Sequence, residues 1–210
     1  LKDTIVYFDM FFRKNPDKAG FAIVAGLEQV IEYIESLKFT ESDIEYLRSR
    51  KLFSEEFLEY LLNFKFTGDL YAIEEGTPVF PNEPLITVKS KVIDAQLIET
   101  MLLLTINHQS LIATKANRIR RVAEGKEVLE LGARRSQGYD AAIYGARAAY
   151  IGGVDGTATT IADRIFNVKA VGTMAHAWIQ LFGDEYKAFE TYAKTYPDNC
   201  ILLIDTYSVL

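Results

Sequence analysis

The sequence holds a single cysteine, Cys200, among 210 residues. One thiol cannot form an intrachain disulfide or a multi-cysteine metal site, so a disulfide-stapled secreted fold is excluded and a reducing cytoplasm is expected. Long apolar runs are also missing, because the segment near residues 95–104 contains Gln96 and Glu99. Such a run is too short for a membrane span, and we expect no membrane partner.

Positive charge is scarce as well, since 23 Lys and Arg accompany 29 Asp and Glu and give a formal net charge of -6. A protein that covers nucleic acid needs many cations to neutralise phosphates, so we expect no nucleic-acid partner. The Walker, GxGxxG, HExxH, CxxC and GxSxG motifs are absent, which disfavours zinc and serine hydrolysis. No set of metal-ligating residues is predicted.

Residues 1–92 are predicted to form an N-terminal α/β sandwich region. A strand is expected over residues 4–12 and an amphipathic helix over residues 21–36. Two shorter helices are expected to begin at the capping residues Thr40 and Ser54, each followed by acidic residues in its first turn.

A small β-rich module is predicted within this region, at about residues 64–90. Short strand-like segments there are separated by Gly68 and by prolines at positions 78, 81 and 84. Because proline cannot donate a ladder hydrogen bond, it confines strands to edges or ends. We therefore expect a compact sandwich beside the main body.

Residues 93–210 are predicted to hold a connecting helix, over 93–123, and the first part of an α/β barrel. Beyond Gly125 strand-like and helix-like segments alternate. The predicted strands are 128–131, a segment near Val154, 170–173 and 200–204, and the predicted helices are 139–150, 159–166 and 185–196. Such alternation implies parallel strands with crossover helices, in a barrel or an open sheet, and chemistry collects where these strands end.

Polar and titratable side chains follow four of these predicted strands. They are Arg134, Arg135, Asp155, Thr173, His176 and Asp205. A histidine can accept a phosphoryl group, a carboxylate beside it can fix its tautomer, and guanidinium groups bind phosphates and planar acids. The alternative interpretation is structural: a core or capping histidine, a capping or turn aspartate and a solvated arginine pair.

A series of motifs along the chain resembles those of a known protein family. The motifs lie at residues 8–16, 25–27, 96–100, 112–116, 130–137, 150–155, 172–176 and 205–207. The most specific include Glu130-Leu131-Gly132-Ala133-Arg134-Arg135-Ser136-Gln137 and Gly172-Thr173-Met174-Ala175-His176. Through them nearly the whole chain resembles the nicotinate phosphoribosyltransferases, type II phosphoribosyltransferases of NAD salvage.

The resemblance implies an irregular α/β barrel, here partial, packed against a smaller α/β sandwich domain. It implies transfer of phosphoribosyl from phosphoribosyl pyrophosphate to nicotinate, forming nicotinate mononucleotide and pyrophosphate with coupled ATP hydrolysis. ATP is then a co-substrate, and Mg2+ is expected with the pyrophosphate. A cytoplasmic homodimer is expected by the same likeness.

The resemblance also implies the site residues. His176 is expected to be the phosphorylated histidine and Asp205 the catalytic carboxylate near it. The residues expected to bind substrate are Leu131 against the pyridine ring face, Arg134 and Thr173 at nicotinate, and Asp155 as a pocket acid.

Three alternatives stay open: a nicotinamide-specific enzyme, a quinolinate-specific enzyme, and an inactive homologue that acts as a binding subunit. The paired arginines favour an acid substrate, because a guanidinium pairs with a carboxylate by two hydrogen bonds that a neutral amide cannot reproduce. Two family motifs, Asp-x-Tyr-Gln and Asp-Ser-Gly-Asp, do not occur in the sequence. We therefore expect a fragment that lacks both ends and is inactive alone.

Overall fold

The computed structural model describes residues 2–209, in which strands and helices are mixed along the chain. The strands are β1 (Ile5–Met10), β2 (Ala22–Ile23), β3 (Asp69–Ala72), β4 (Pro78–Val79), β5 (Ile86–Lys91), β6 (Leu129–Glu130) and β7 (Gly156–Thr157). The helices are α1 (Leu27–Ser36), α2 (Glu41–Ser49), α3 (Glu55–Leu62), α4 (Val92–Val122), α5 (Tyr139–Ile151), α6 (Thr160–Phe166), α7 (His176–Phe182) and α8 (Glu185–Thr195). The predicted α/β class is confirmed.

An antiparallel sheet of order β1-β5-β3 covers one side of the N-terminal region. The register of β1 on β5 runs from Ile5 opposite Lys91 to Met10 opposite Ile86. Alternate residues of β5 are buried, which is the pattern of a sheet with one covered face. The strand predicted over residues 4–12 is confirmed as β1.

The predicted β-rich module does not form a sandwich of its own. β5 pairs with β1, β3 pairs with β5, and β4 pairs with β2, so the strands of residues 64–90 complete sheets begun at the start of the chain. Pro78 lies in the short strand β4, at the edge of a two-stranded sheet, as proline requires.

The helix predicted over residues 21–36 begins six residues later than expected, at Leu27. The preceding residues are extended because α4 supplies partners for their backbone: Ile23 N–H donates to Thr114 Oγ1 at 2.9 Å and Ala25 N–H donates to Ser110 Oγ at 3.1 Å. Gly26 turns the chain into α1 with φ 106°, a left-handed value suited to glycine.

The main core lies between α1, α4 and the sheet of β1 and β5. Its fully or nearly fully buried members include Val30, Ile86, Val88, Ile98, Leu102 and Ile106. Burying each such side chain stabilises the fold by about 1.5–3 kcal/mol. The long helix predicted over residues 93–123 is confirmed as α4, and the domain boundary at residues 92 and 93 stays a prediction.

The second half of the chain builds a short parallel sheet. β6 pairs with β7, and Ala170 continues the sheet by a parallel bridge to Thr157. Helices α5, α6 and α8 confirm the predicted helices. Residues 2–209 contain no closed barrel, so this half is a partial α/β fold.

Two predictions in this half are wrong, and a third, the strand over residues 170–173, is reduced to a bridge at Ala170. Residues 200–204 do not form a buried strand: no strand of the described chain pairs with them, and Ile201 and Ile204 are 51% and 56% exposed. The segment near Val154 becomes a strand only from Gly156. Helix α7, which begins at His176, was not predicted. Among the described residues, no helix is both long and apolar enough to cross a membrane.

Candidate functional site

The carboxyl ends of three parallel segments meet at one edge of the sheet of β6 and β7. β6 runs into a single helical turn at Ala133–Arg135, β7 runs into Thr159, and the bridge at Ala170 leads to α7. We call residues 130–135, 157–159 and 170–176 the strand-end edge. Parallel α/β folds place their chemistry at this end of the strands.

Glu130 joins two of these strand ends. Its Oε2 accepts a hydrogen bond from the hydroxyl of Thr157 at 2.6 Å, and its Oε1 accepts from the backbone N–H of Gly132 at 2.5 Å. Thr157 is completely buried, so the carboxylate is held in one orientation. Sequence reasoning missed Glu130, although the strand-end rule applied to the last residue of β6 would have found it.

Thr159 is a second residue that sequence reasoning missed. It follows β7 by two residues, and its backbone N–H donates to Thr157 Oγ1 at 3.0 Å. Its own hydroxyl is buried and has no hydrogen-bond partner within residues 2–209. A buried polar group without a partner is costly, so this hydroxyl is available to a ligand or a water molecule.

Asp155 lies at the opposite end of the sheet from the strand-end edge. It precedes β7, and its Oδ2 accepts from Arg120 Nη1 at 3.2 Å and from the backbone N–H of Val128 at 2.8 Å. The prediction that Asp155 follows a strand is therefore wrong, because β7 starts after it. In this structure its carboxylate links Arg120, near the C-terminal end of α4, to the backbone of Val128, just before β6.

A cavity of about 410 Å3 opens beside the end of β6. Its wall includes Glu130, Arg135, Ser136 and Gln137, together with His108 on α4. We call it the arginine cavity. Arg134 does not line it, although Arg134 is exposed and its guanidinium has no partner within the described chain. Leu131, at the same strand end, is 59% exposed.

His176 and Asp205 are brought together, as the sequence predicts. Nε2 of His176 lies 3.8 Å from Oδ1 of Asp205, and Nδ1 lies 3.2 Å from the hydroxyl of Thr206. Both side chains are about half exposed, so a solvent-borne ligand can reach the imidazole. Thr173 holds the same segment, because its hydroxyl donates to the carbonyl of Ile201 at 2.5 Å.

Apart from Asp155, the predicted site residues form two groups on the strand-end side of the sheet. Thr173, His176, Asp205 and Thr206 make one group, which we call the histidine cluster. Leu131 and Arg134 follow β6 and make the other, and the wall of the arginine cavity contains no member of the histidine cluster. The first group offers a nucleophilic nitrogen and a carboxylate, and the second offers the guanidinium of Arg134 for an anion.

Magnesium is implied by the resemblance, and the side chains of residues 2–209 do not form a site for it by themselves. No group of three or more His, Cys, Asp or Glu side chains within residues 2–209 is arranged to hold a metal ion. We therefore derive no step through magnesium.

Comparison with known proteins identifies relatives over nearly the whole chain. The family model described as the nicotinate phosphoribosyltransferase N-terminal domain matches residues 1–107. The nicotinate phosphoribosyltransferase of Bacillus subtilis (strain 168) is 49% identical over 203 residues, which are 97% of this chain and 41% of that protein. Nicotinate phosphoribosyltransferase pncB2 of Mycobacterium tuberculosis is 44% identical over 203 residues, 97% of this chain and 44% of that protein.

Solved structures agree with these relatives. The crystal structure of human nicotinic acid phosphoribosyltransferase matches with a TM-score of 0.80 and 31% identity, over 86% of this chain and 37% of that chain. The nicotinate-nucleotide pyrophosphorylase of Pyrococcus furiosus matches with a TM-score of 0.74 and 28% identity, over 97% of this chain and 45% of that chain. The chain spans less than half the length of these two curated relatives.

Proposed function

The chain belongs to the nicotinate phosphoribosyltransferase family, and from this premise we propose that it serves the transfer of phosphoribosyl from phosphoribosyl pyrophosphate to nicotinate. The products are nicotinate mononucleotide and pyrophosphate. The ring nitrogen of nicotinate forms a bond to C1 of the ribose, and the bond from C1 to the pyrophosphate oxygen breaks with its electron pair leaving on pyrophosphate. The observation that most supports this is the placement of His176 3.8 Å from Asp205 beside a strand-end edge.

Arg134 is proposed to bind the carboxylate of nicotinate. Its exposed guanidinium lacks a partner within residues 2–209, and two parallel hydrogen bonds from such a group fit a planar carboxylate. Leu131, exposed beside it, would cover one face of the pyridine ring, and Thr173 would contact nicotinate from the next strand end. A neutral nicotinamide could not make the same charged contact.

We propose that carboxylates near the ribose stabilise the charge that develops on it during the reaction. Displacement at C1 builds positive charge on the ribose, and a fixed negative group lowers the free energy of that transition state. Glu130, held by Thr157 and Gly132 at the end of β6, and Asp205 beside His176 are the two carboxylates proposed for this role. We assign no role to Asp155 in this step, because its Oδ2 is bonded to Arg120 and Val128.

His176 is proposed to accept the γ-phosphoryl group of ATP. An imidazole nitrogen forms the bond to phosphorus, ADP leaves with the electron pair of the broken bond, and water later hydrolyses the phosphohistidine to phosphate. Asp205 and Thr206 would orient the ring, since each lies next to one of its nitrogens. The added negative charge would favour the substrate-bound arrangement and so couple ATP hydrolysis to transfer.

A homodimer and a cytoplasmic location complete the proposal. Both groups of site residues are open to solvent on one side, and a second copy of the protein would close the site from water. The single cysteine fits a reducing compartment.

The decisive experiment uses a chimera in which this chain replaces the matching 203 residues of the Bacillus subtilis relative. Formation of nicotinate mononucleotide and nicotinate-stimulated ATP hydrolysis are measured for the chimera, for His176→Ala, and for Gln180→Ala, an exposed control on the same helix. We expect both activities in the chimera and the control, and loss of the stimulated hydrolysis in His176→Ala.

Other outcomes separate the alternatives. Unchanged stimulation in His176→Ala would remove that residue from the mechanism. Turnover of nicotinamide or quinolinate in place of nicotinate would identify a different substrate specificity, and binding of nicotinate without turnover in the chimera would identify an inactive homologue. Assay of the 210-residue chain alone tests the expectation that it is inactive by itself.

A further inference from the structure

A second cavity, of about 410 Å3, lies between α1, α4 and α5. Its wall includes Gln29, Glu32, Tyr33, Thr105, Asp140 and Tyr144. It shares His108 and Ala141 with the arginine cavity, and the residues that line it include none of the strand-end edge or the histidine cluster. Its volume is in the range of small-molecule pockets, about 300–1,000 Å3.

One buried amide on this wall has a donor without a partner, and a chain of contacts fixes its orientation. Arg147 can only donate, so the side-chain oxygen of Gln109 faces its Nη1 at 3.5 Å. The nitrogen of Gln109 then donates to Oε1 of Gln29 at 2.9 Å. This leaves Nε2 of Gln29 buried and without a hydrogen-bond partner in the described part of the chain.

Thr105 provides a second polar group of the same kind. Only 6% of the residue is exposed, and its hydroxyl has no partner within residues 2–209. Gln29 is 4% exposed and lines the same cavity. Since buried polar groups are almost always hydrogen-bonded, the two side chains call for a partner from outside the chain, and Gln29 Nε2 requires an acceptor.

The charge of the wall selects against anions. Glu32 and Asp140 are its charged residues, and none of the described residues that line it is lysine or arginine. Burial, together with the charges of Asp140 and Glu32, raises the pKa of Tyr144, which keeps its phenol uncharged. A ligand with an N–H group can donate to these carboxylates, whereas a carboxylate ligand meets repulsion.

Another part of the wall is mainly apolar, with the rings of Tyr33 and Tyr144 and the side chains of Met101 and Leu104. We propose that this cavity binds a neutral aromatic carboxamide. The carbonyl accepts from Gln29 and Thr105, the amide nitrogen donates to the carboxylate rim, and the ring packs on the apolar wall. The site is independent of the proposed phosphoribosyl transfer, because it contains none of the residues assigned to it.

The first test compares benzamide with benzoate, its anionic isostere, by isothermal titration calorimetry on the 210-residue chain. We expect benzamide to bind with a Kd of about 1 mM or lower, and benzoate to bind at least about tenfold more weakly. Equal affinities, or no heat from benzamide up to about 10 mM, would overturn the proposal. Neither result depends on whether the chain turns over nicotinate.

A matched pair of variants on α4 tests whether the hydroxyl of Thr105 binds the ligand. Thr105→Val removes a hydroxyl without a partner, so we expect weaker benzamide binding, by about fivefold or more, with no loss of thermal stability in the free protein. Thr114→Val is the control, because the hydroxyl of Thr114 donates to Ser110 O at 2.6 Å and accepts from Ile23 N–H. It should lower the Tm and leave the Kd unchanged.

Equal benzamide affinity in Thr105→Val and the unsubstituted chain contradicts the proposal. The position of bound benzamide can also be measured without a variant, from nuclear Overhauser contacts in the unsubstituted chain. Contacts from the benzamide ring protons to Tyr33 and Tyr144 are expected, and contacts to residues outside the cavity instead of these would place the ligand elsewhere.

Discussion

Arg147 and Glu75, 72 residues apart in the chain, form an ion pair with two parallel hydrogen bonds, Nη1 to Oε1 at 2.9 Å and Nη2 to Oε2 at 2.7 Å. Glu75 also accepts from the backbone N–H groups of Gly26 and Leu27, and Glu28 contacts Arg147 as well. A single carboxylate therefore connects the start of α1 to the middle of α5. The first half of the chain and the partial α/β half are joined by a largely buried charge pair.

Glu75→Gln is expected to lower the free energy of unfolding by about 3 kcal/mol, because it leaves the buried guanidinium of Arg147 without its main partner. The value is at the low end for a broken buried pair since Glu28 still contacts Arg147. Urea unfolding measures this change in the free energy of unfolding. The control is Glu74→Gln, an exposed neighbour, which should change the stability by less than about 0.5 kcal/mol. Similar losses in the two variants would mean that the pair does not hold the halves together.

The same carboxylate makes the stability depend on pH. Burial tends to raise the pKa of Glu75, but Arg147 and the N–H groups of Gly26 and Leu27 outweigh it and hold the pKa below its ordinary value of 4.5. A carboxyl group with a lowered pKa adds stability above that ordinary value and loses it as the pH falls through the lowered one.

The difference in unfolding free energy between the unsubstituted chain and Glu75→Gln should therefore be constant near neutral pH and shrink below pH 4.5. Urea titrations from about pH 7 to about pH 3 measure this difference directly. Subtracting the variant removes the contribution of the other carboxyl groups. A difference that stays constant or grows in acid would contradict the assignment.

Local sequence signals predicted the helix caps correctly, and long-range contacts explain the errors. Thr40 and Ser54 cap α2 and α3 as predicted, because each side chain accepts from a backbone N–H only three residues away. The residues before α1 were predicted as helix and are extended, since their backbone bonds to hydroxyls of α4. The bond from Ile23 to Thr114 spans 91 residues, and no periodicity in the sequence reveals it.

Only part of the site was predicted, because long-range contacts and the positions of strand ends also decide which side chains meet. His176 and Asp205 meet as expected, although Asp205 follows an exposed segment instead of a buried strand. Asp155 was misplaced because β7 is only two residues long, so an error of two residues moves a side chain from one end of the sheet to the other. Glu130 and Thr159 depend on the position of strand ends that pattern alone does not fix.

The contact between α4 and α5 depends on the absence of a side chain at Gly152. A Cβ atom there would lie 2.4 Å from the carbonyl oxygen of Ala113 and 2.7 Å from the Cβ of Ala116. Gly152→Ala should therefore lower the free energy of unfolding by about 1–3 kcal/mol, since backbone and a methyl group must move. The control Gly20→Ala meets nothing within 4 Å. Calorimetric melting distinguishes them, and equal melting temperatures would refute the packing argument.

Arg134 and Arg135 are neighbours in the chain, yet only Arg135 lines the arginine cavity. The proposed contact with the nicotinate carboxylate belongs to Arg134, so Arg134→Gln should raise the Kd for nicotinate by about tenfold or more, the loss of about 1.5–3 kcal/mol for a hydrogen bond to a charged group. Nicotinamide binding should not change, because its amide carries no charge. Arg135→Gln is the matched control and should alter the Kd by less than about twofold. Titration calorimetry with nicotinate and nicotinamide measures these affinities. A larger loss of nicotinate affinity in Arg135→Gln than in Arg134→Gln would mean that the nicotinate carboxylate binds in the arginine cavity.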